Sequence, residues 1–482
     1  MTQEVELKLD FSADAAEAFV RSAIISKKPS RQLLHATYFD TPDHLLHRAG
    51  FALRIRRSGR KYIQTIKSRG SKMSGLFIRQ EWERPVSGNR VMLDPTTPIL
   101  ELLSGAADGL TPAFEVSVER LRWMVEEGGS SIEVVLDRGL VKASDRQAPF
   151  CELELELKRG EPQAVFAFAR KIAEFVPVRP GVLSKAQRGY GLLGPVIDAF
   201  KAEKVDLARD VSPATAYRDI AGLCLHQYIL NETRLLAGHQ PEALHQARVA
   251  LRRLRSAIAI FKPMLGNQHL AHVQSELRWL TAALGSTRDI DVLLDTTRQE
   301  ERRKQLEDAC ATSHAELAAT LATKRVRDLL LELAEWIAAG PWSVARDGLD
   351  STAKCYAQEA LHKLRKKVKR RGGDLATLTD VERHDLRKAA KRLRYGVEFF
   401  GSLFPEHKAQ RRYRKFSASL EKLQDDLGEL NDLVSIPVLL ERLGLAEAAT
   451  TERQMLQQRK TDLISKAVQS WADLMDHKAF WQ

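Results

Sequence analysis

Apolar and polar residues alternate through most of the first 160 positions. VELKLD, FALRIRRS, KYIQTIKS, LFIRQEWE, EVSVERLRW, SIEVVLD and FCELELELK all repeat with period two, which predicts strands with one apolar face. Turn-forming pairs such as Ser58-Gly59 and Gly128-Gly129 separate them, so antiparallel pairing is expected. Helices are predicted at about 11–23 and 163–176, and the short segment GVLSKAQRGY (181–190) closes this half. A polar stretch from Val205 to Pro213 is the expected linker. Beyond it the period becomes 3.6 almost throughout.

The second half repeats internally. HQARVALRRLRSAIAIF (245–261) matches HDLRKAAKRLRYGVEFF (384–400), and LGSTRD (284–289) echoes LGELND (427–432), so two related helical units are predicted. A chain of 482 residues exceeds one core, and two domains account for it. The expected class is α+β: an antiparallel barrel with flanking helices, then an all-α bundle.

Charge sharpens this picture. Lys and Arg number 75 against 63 Asp and Glu, and the net +12 divides as +4 over residues 1–200 and +8 beyond. Such an excess favours polyanionic partners without choosing among them. Cys151, Cys224, Cys310 and Cys355 are scattered, which argues against a zinc site or disulfide framework and predicts buried free thiols. The charged start MTQEVELKLD has no apolar leader, and no run is long enough to span a bilayer, so a cytoplasmic protein with no membrane partner is expected.

Period two also sorts the charges. Glu4, Glu6 and Lys8 share one face of their strand, and Glu152, Glu154, Glu156 and Lys158 share one face of another, with leucines behind. Rows of carboxylates repel unless cations lie among them. Arg54, Arg56, Lys67, Arg79, Arg120 and Arg122 alternate with apolar neighbours on the remaining strands. A closed barrel with a polar lumen would gather both signs of charge. Its carboxylates suit Mg²⁺ or Mn²⁺, its guanidinium groups suit phosphate oxygens, and together they suit phosphoanhydride hydrolysis. The competing possibility is an ordinary sheet with one solvated face.

Taken together, Glu4-x-Glu6-x-Lys8, Leu53-Arg54-Ile55-Arg56, Lys67, Arg79 with Glu81, Arg120 before Trp123, Asp137, CELELEL, and Ser184-Lys185 with Arg188-Gly189-Tyr190 resemble a CYTH domain of the triphosphate tunnel metalloenzymes. The resemblance places this domain at 1–203 and implies an eight-stranded tunnel that hydrolyses inorganic triphosphate or short polyphosphate. It implies Glu4, Glu6 and Lys8 as catalytic residues. Glu4, Glu6, Asp137, Glu152 and Glu154 would hold Mg²⁺ or Mn²⁺, with Glu81 as a helper and Glu156 ambiguous. Arg54, Arg56, Lys67, Arg79, Arg120 and Lys185 would bind phosphates. The family also includes adenylate cyclases and thiamine triphosphatases, so ATP or thiamine triphosphate is the alternative substrate.

On a helical wheel His245, Arg248, Arg252 and Arg255 form a stripe beside an apolar sector, and His384, Arg387, Lys391 and Arg394 recreate it, with Arg253 and Arg392 further round. HKLRKKVKRR (362–371) and RRYRK (411–415) add further basic stretches, and few acidic residues accompany any of them. These helices, expected over 212–476, resemble a CHAD domain, which implies polyphosphate binding through the two stripes and a place at polyphosphate granules. Asn431 stands where the first copy has Arg288, so the copies need not contribute equally. A polyphosphate-granule adaptor with an idle tunnel is the rival function. Nucleic acid is disfavoured as a partner because no reader motif or aromatic platform accompanies the charge.

Overall fold

The computed structural model describes residues 2–22, 24–68, 70–73, 76–93, 95–96, 99–103, 109–266, 268–343 and 352–482; within these, the side chains of 2–4, 71–73, 78–79, 268, 343, 447 and 451–458 are outside the description. Two compact units emerge, one of residues 1–200 with 321–341 and the other of 201–320 with 342–482.

The strands of the first unit are β1 (Thr2–Asp10), β2 (Ser30–Asp40), β3 (Phe51–Ser58), β4 (Lys61–Ser68), β5 (Ser71–Met73), β6 (Leu76–Val86), β7 (Thr111–Glu127), β8 (Ser130–Ala143), β9 (Arg146–Arg159) and β10 (Arg179–Pro180). Their order is β10-β1-β9-β8-β7-β2-β3-β4-β6-β5, and β1 also pairs with β6. That last ladder, Thr2↔Glu81 through Leu7↔Leu76, closes eight strands into a barrel, with β5 and β10 as appendages. All the pairings are antiparallel. Each alternating segment becomes a strand; β2 is the eighth, and its sequence carries no clean alternation. Gly128 and Gly129, at φ 57° and 77°, make the tight β7–β8 turn that only glycine adopts without strain.

Helices α1 (Ala13–Arg21), α2 (Leu45–Arg48), α3 (Ile99–Leu102), α4 (Pro162–Phe175) and α5 (Lys185–Leu193) accompany the barrel. Its apolar outer face is buried: Leu7, Leu9, Leu153 and Leu155 on β1 and β9 lie beside α4, which buries Val165, Phe166, Ala169 and Ile172. A capping box of Ser184 and Gln187 starts α5 and fixes the orientation of Lys185 at its first position. Gly189 lets this helix sit tight, because a Cβ there would fall 2.1 Å from the Phe114 ring, itself stacked on Tyr38. Gly189→Ala is therefore expected to destabilise the protein by about 1–3 kcal/mol, read as a lower urea midpoint. A midpoint unchanged from wild type would show that α5 can shift freely.

The second unit contains α6 (Pro213–Ala237), α7 (Pro241–Ile260), α8 (Lys262–Leu265), α9 (Gln268–Thr296) and α10 (Glu300–Leu321). After these come α11 (Lys324–Ala339), α12 (Ala353–Gly372), α13 (Asp380–Phe400), α14 (His407–Arg442) and α15 (Ala446–Asp476). Helix α11, although it lies within the helical stretch of sequence, groups with the first unit, where it packs on α4 and β10. Arg179 donates to the Leu321 carbonyl at 2.6 Å, and Arg170 pairs with Glu335. The expected linker is anchored too: Val205 and Leu207 are buried and Leu207 N donates to Ser402 Oγ at 2.9 Å. Buried apolar residues of α7 (Ala247, Leu251, Leu254, Ile258) and α13 (Leu386, Ala390, Leu393, Val397) occupy matching repeat positions. No helix among the described residues is long and apolar enough to cross a membrane.

Candidate active site and candidate polyanion site

Strand register builds the first site. Between β1 and β9, Glu6 faces Glu156, Lys8 faces Glu154 and Asp10 faces Glu152; Glu152 in turn faces Asp137 on β8, which faces Arg120 on β7. Registered partners project from the same face, so a rung of charge crosses four strands inside the barrel. Asp137 and Glu152 are 0 % exposed, Lys8 2 % and Glu6 3 %. Charges so buried persist only with partners.

The partners are dense. Lys185 Nζ reaches Asp137 Oδ2 at 2.7 Å, Glu152 Oε1 at 2.6 Å and Glu154 Oε1 at 2.8 Å. Lys8 Nζ reaches Glu6 at 2.7 Å and Glu152 at 3.4 Å, and contacts Glu154. Arg120 grips Asp137 with two donors, Nε to Oδ1 at 2.7 Å and a terminal nitrogen to Oδ2 at 2.6 Å. Burial opposes ionisation of Glu154, but Lys185, Lys8 and Arg120 outweigh it and hold that carboxyl well below its usual range. Asp137 is likewise held low, against burial, by Lys185 and Arg120. The carboxylates raise the Lys185 ammonium in return, although burial alone would lower it. A lysine in the first turn of α5 opposes the helix dipole, and these three carboxylates compensate.

Oxygens of Asp137, Glu152 and Glu154 all lie within 4.8 Å of one another. Across the eight-strand ring β3 stands opposite β9, and it carries Arg54 and Arg56. Arg56 is pushed down to about 10, first by the charge of Arg54 and then by burial and Arg120. The Nε of Arg54 is buried with no hydrogen-bond partner among the described residues. Lys67 pairs with Glu81 at 3.1 Å. One wall is thus carboxylate and the facing wall crowded guanidinium. Glu4 and Arg79 face each other in the β1–β6 ladder, but their side chains lie outside those described. Glu156 binds Lys158 at 2.6 Å, in a network with Glu133 and Arg122. Asp10 and Arg188, paired at 2.8 Å with Arg188 3.6 Å from Glu152, are an addition; continuing the Glu6-x-Lys8 alternation one step would have reached Asp10.

In the helical unit both repeats use the same geometry. The Arg248 guanidinium on α7 lies over Gly285 and donates to its carbonyl at 2.7 Å, with Asp289 at 3.3 Å. Arg387 on α13 lies over Gly428, where a Cβ would sit 3.7 Å from it. His384 Nδ1 donates to Asn431 Oδ1 at 2.6 Å, while burial and then the nearby Arg288 charge lower His245. Arg288 and Asn431 therefore occupy equivalent places beside their histidines. The stripes converge: Lys391 is pushed down to about 7 by burial and by Arg387, Arg252 and Arg248. The Nε atoms of Arg252 and Arg387 are buried without hydrogen-bond partners among the described residues. Arg255 keeps company with Arg278 and Arg392 instead.

Arg394 is held by Glu398 at 2.9 Å and Glu421 at 3.7 Å, and Glu398 also holds Arg253 at 2.6 Å, an ion-paired network that ties the repeats together. One expectation needs correction. The cysteines are not uniformly buried: Cys224 and Cys310 are, Cys151 is half-buried and Cys355 is exposed. Cys310 also stands four residues before His314, a Cys/His spacing on one helix face.

Comparison with known proteins bears on both halves of the chain. A Haemophilus influenzae protein named inorganic triphosphatase is 33% identical over 205 residues, covering 40% of this chain and 56% of that one; the chain thus spans little more than half of this relative. The crystal structure of the CHAD domain from the plant Ricinus communis is 30% identical with a TM-score of 0.51, covering 58% of this chain and 98% of that one. A Hippeastrum protein described as a putative adenylyl cyclase that reveals a dominant triphosphatase activity is 25% identical with a TM-score of 0.31, covering 40% of this chain and 98% of that one. The CYTH domain family model matches residues 2–190 and the CHAD domain family model matches residues 219–441. The chain belongs to these two families, a CYTH domain followed by a CHAD domain.

Proposed function

We propose that the barrel hydrolyses inorganic triphosphate or short-chain polyphosphate with divalent metal ions, and that the helical unit binds polyphosphate. The observation that carries the first part is the carboxylate trio of buried Asp137 and Glu152 with half-buried Glu154, facing a wall of guanidinium groups. The donor set fits a hard divalent ion: every candidate ligand atom is a carboxylate oxygen, and Glu152 Oε2 is buried with no hydrogen-bond partner among the described residues. Asp137, Glu152 and Glu154 would hold Mg²⁺ or Mn²⁺, with Glu6 beside them and Glu4 on the same strand. Bound there, the ion supplies Lewis-acid polarisation of phosphate oxygens and an activated water.

The chain's own groups supply the rest. Lys8 and Lys185 are each held by several of these carboxylates, so their ammonium groups can exchange carboxylate for phosphate oxygens when a metal ion takes over the carboxylates. Arg54 and Arg56 repel one another until an anion lies between them, so a phosphate chain relieves a cost already present. Arg120, fixed by two bonds to Asp137, keeps that carboxylate ionised and aimed. Positive charge held in place before the reaction is what stabilises developing charge on a departing phosphate.

Phosphate release tests this, measured across triphosphate, longer polyphosphate, ATP and thiamine triphosphate with Mg²⁺ or Mn²⁺. Triphosphate should be turned over fastest, and chelation should abolish release. Faster turnover of ATP or thiamine triphosphate would move the substrate to an organic triphosphate. Polyphosphate binding with no turnover of any substrate would leave an adaptor.

A further inference from the structure

Outside both sites, four side chains from three segments of the helical unit meet at one point. His239 stands in the turn between α6 and α7, Asp291 lies on α9, and Cys310 and His314 lie one turn apart on α10. Their ligand atoms are all within 4.8 Å of one another. His314 Nε2 is 2.8 Å from Asp291 Oδ1, Cys310 Sγ is 3.3 Å from the same oxygen, and His239 Nε2 is 3.7 Å from Cys310 Sγ. In a tetrahedral zinc site, bond lengths of about 2.0–2.3 Å place neighbouring ligand atoms roughly 3.3–3.6 Å apart. The cluster brackets that spacing before any ion has drawn it together.

Hydrogen bonding alone explains the group less well. The two imidazoles meet edge to face with centroids 4.1 Å apart, and the Cys310–His239 approach is loose for a hydrogen bond. Asp291 Oδ2 is buried without a hydrogen-bond partner among the described residues, with Arg288 3.7 Å away. Asp291, Cys310 and His314 are buried while His239 is exposed, so three ligands are preformed and the fourth lies at the entrance.

We propose that His239, Asp291, Cys310 and His314 form a binding site for a zinc-class divalent transition metal. Two imidazole nitrogens, one thiolate and one carboxylate match the borderline softness of Zn²⁺ or Co²⁺ and disfavour Mg²⁺. Binding requires Cys310 to give its thiol proton to solvent, and both histidines to offer neutral nitrogen lone pairs. The site would clamp the α6–α7 turn to α9 and α10. His239 stands two residues before α7, which carries Arg248 and Arg252, and Arg288, beside Asp291, neighbours His245. Its role is thus structural support beneath the cationic stripes.

The test uses the full chain, stripped with chelator, loaded with Zn²⁺ or Co²⁺ in excess Mg²⁺ to fill the barrel, then desalted. One zinc per chain should be retained, and the Co²⁺ form should show visible bands of tetrahedral cobalt with a near-ultraviolet thiolate-to-cobalt band. His239→Ala, a change at an exposed position, should weaken retention by at least about tenfold. Cys310→Ser should abolish the thiolate band, whereas Glu152→Gln should leave the cobalt spectrum intact. Retention that His239→Ala does not change, or a cobalt spectrum without tetrahedral and thiolate features in the wild-type chain, would overturn the assignment and leave a hydrogen-bonded knot.

Discussion

Glu154→Gln is expected to cut triphosphate turnover by at least about a hundredfold while leaving polyphosphate binding by the helical unit unchanged. Glu154 touches Lys8 and Lys185 and lies 3.5 Å from Arg120, so one neutral atom in place of a charged one affects three cations as well as a candidate metal ligand. Glutamine keeps the shape but cannot neutralise them, and removing one member of a buried ion pair typically costs about 3–5 kcal/mol. Stability and activity separate through pH. A carboxyl held below its ordinary value stabilises the fold above the unfolded-state value, and that contribution disappears as pH falls through the folded-state value. The gap in urea midpoint between wild type and Glu154→Gln should therefore be full near neutrality and shrink in acid. Phosphate release at neutral pH, below the variant's midpoint, isolates the catalytic loss. A variant that folds and turns over triphosphate at the wild-type rate would remove Glu154 from the chemistry.

Much of this wall could be seen in the sequence because period two is a local property. Glu6 with Lys8, and Glu152 with Glu154, declare a shared face within five residues, and burial of Leu7, Leu9, Leu153 and Leu155 behind them follows from the same alternation. What closes the barrel is non-local: nothing near Glu4 says that its strand pairs with the one carrying Arg79. Strand β2 is not legible in the sequence because SRQLLHATYFD places Leu33 and Leu34 side by side, blurring the alternation, and Leu33 is exposed.

The helical stripes show the opposite limit. A wheel gives the direction of a side chain but not its neighbour, so Arg394 looked equivalent to Arg255. The signal that distinguishes them was nevertheless local: Glu398 lies four residues after Arg394, whereas Ala259 follows Arg255 at the same spacing. The Cys310–His314 pair was legible on the same rule. Its partners His239 and Asp291 come from other segments that only the tertiary fold brings together.

Polyphosphate affinity should fall as pH rises above about 7, with Lys391 contributing up to about tenfold per pH unit. Lys391 sets this window. Burial, and then the charges of Arg387, Arg252 and Arg248, push its ammonium down to about 7, so the ligand-free protein carries it half-neutral near physiological pH. A polyanion laid across α7 and α13 offsets that repulsion and returns Lys391 toward its ordinary value, so binding takes up a proton whenever the pH exceeds the ligand-free value. The sign follows from that uptake: raising pH withdraws the proton that the complex needs. Lys391→Arg stays charged throughout and should make the profile shallower above about pH 7, and Lys391→Met should do so at lower affinity. Anisotropy with a labelled polyphosphate at fixed ionic strength measures all three, since counterion release otherwise adds its own slope. Proton uptake can be counted independently by calorimetry in buffers of different ionisation enthalpy. A wild-type affinity that does not move between about pH 6.5 and 8.5, or a slope above about pH 7 that Lys391→Arg leaves as steep as in wild type, would mean that no polyphosphate lies against this lysine.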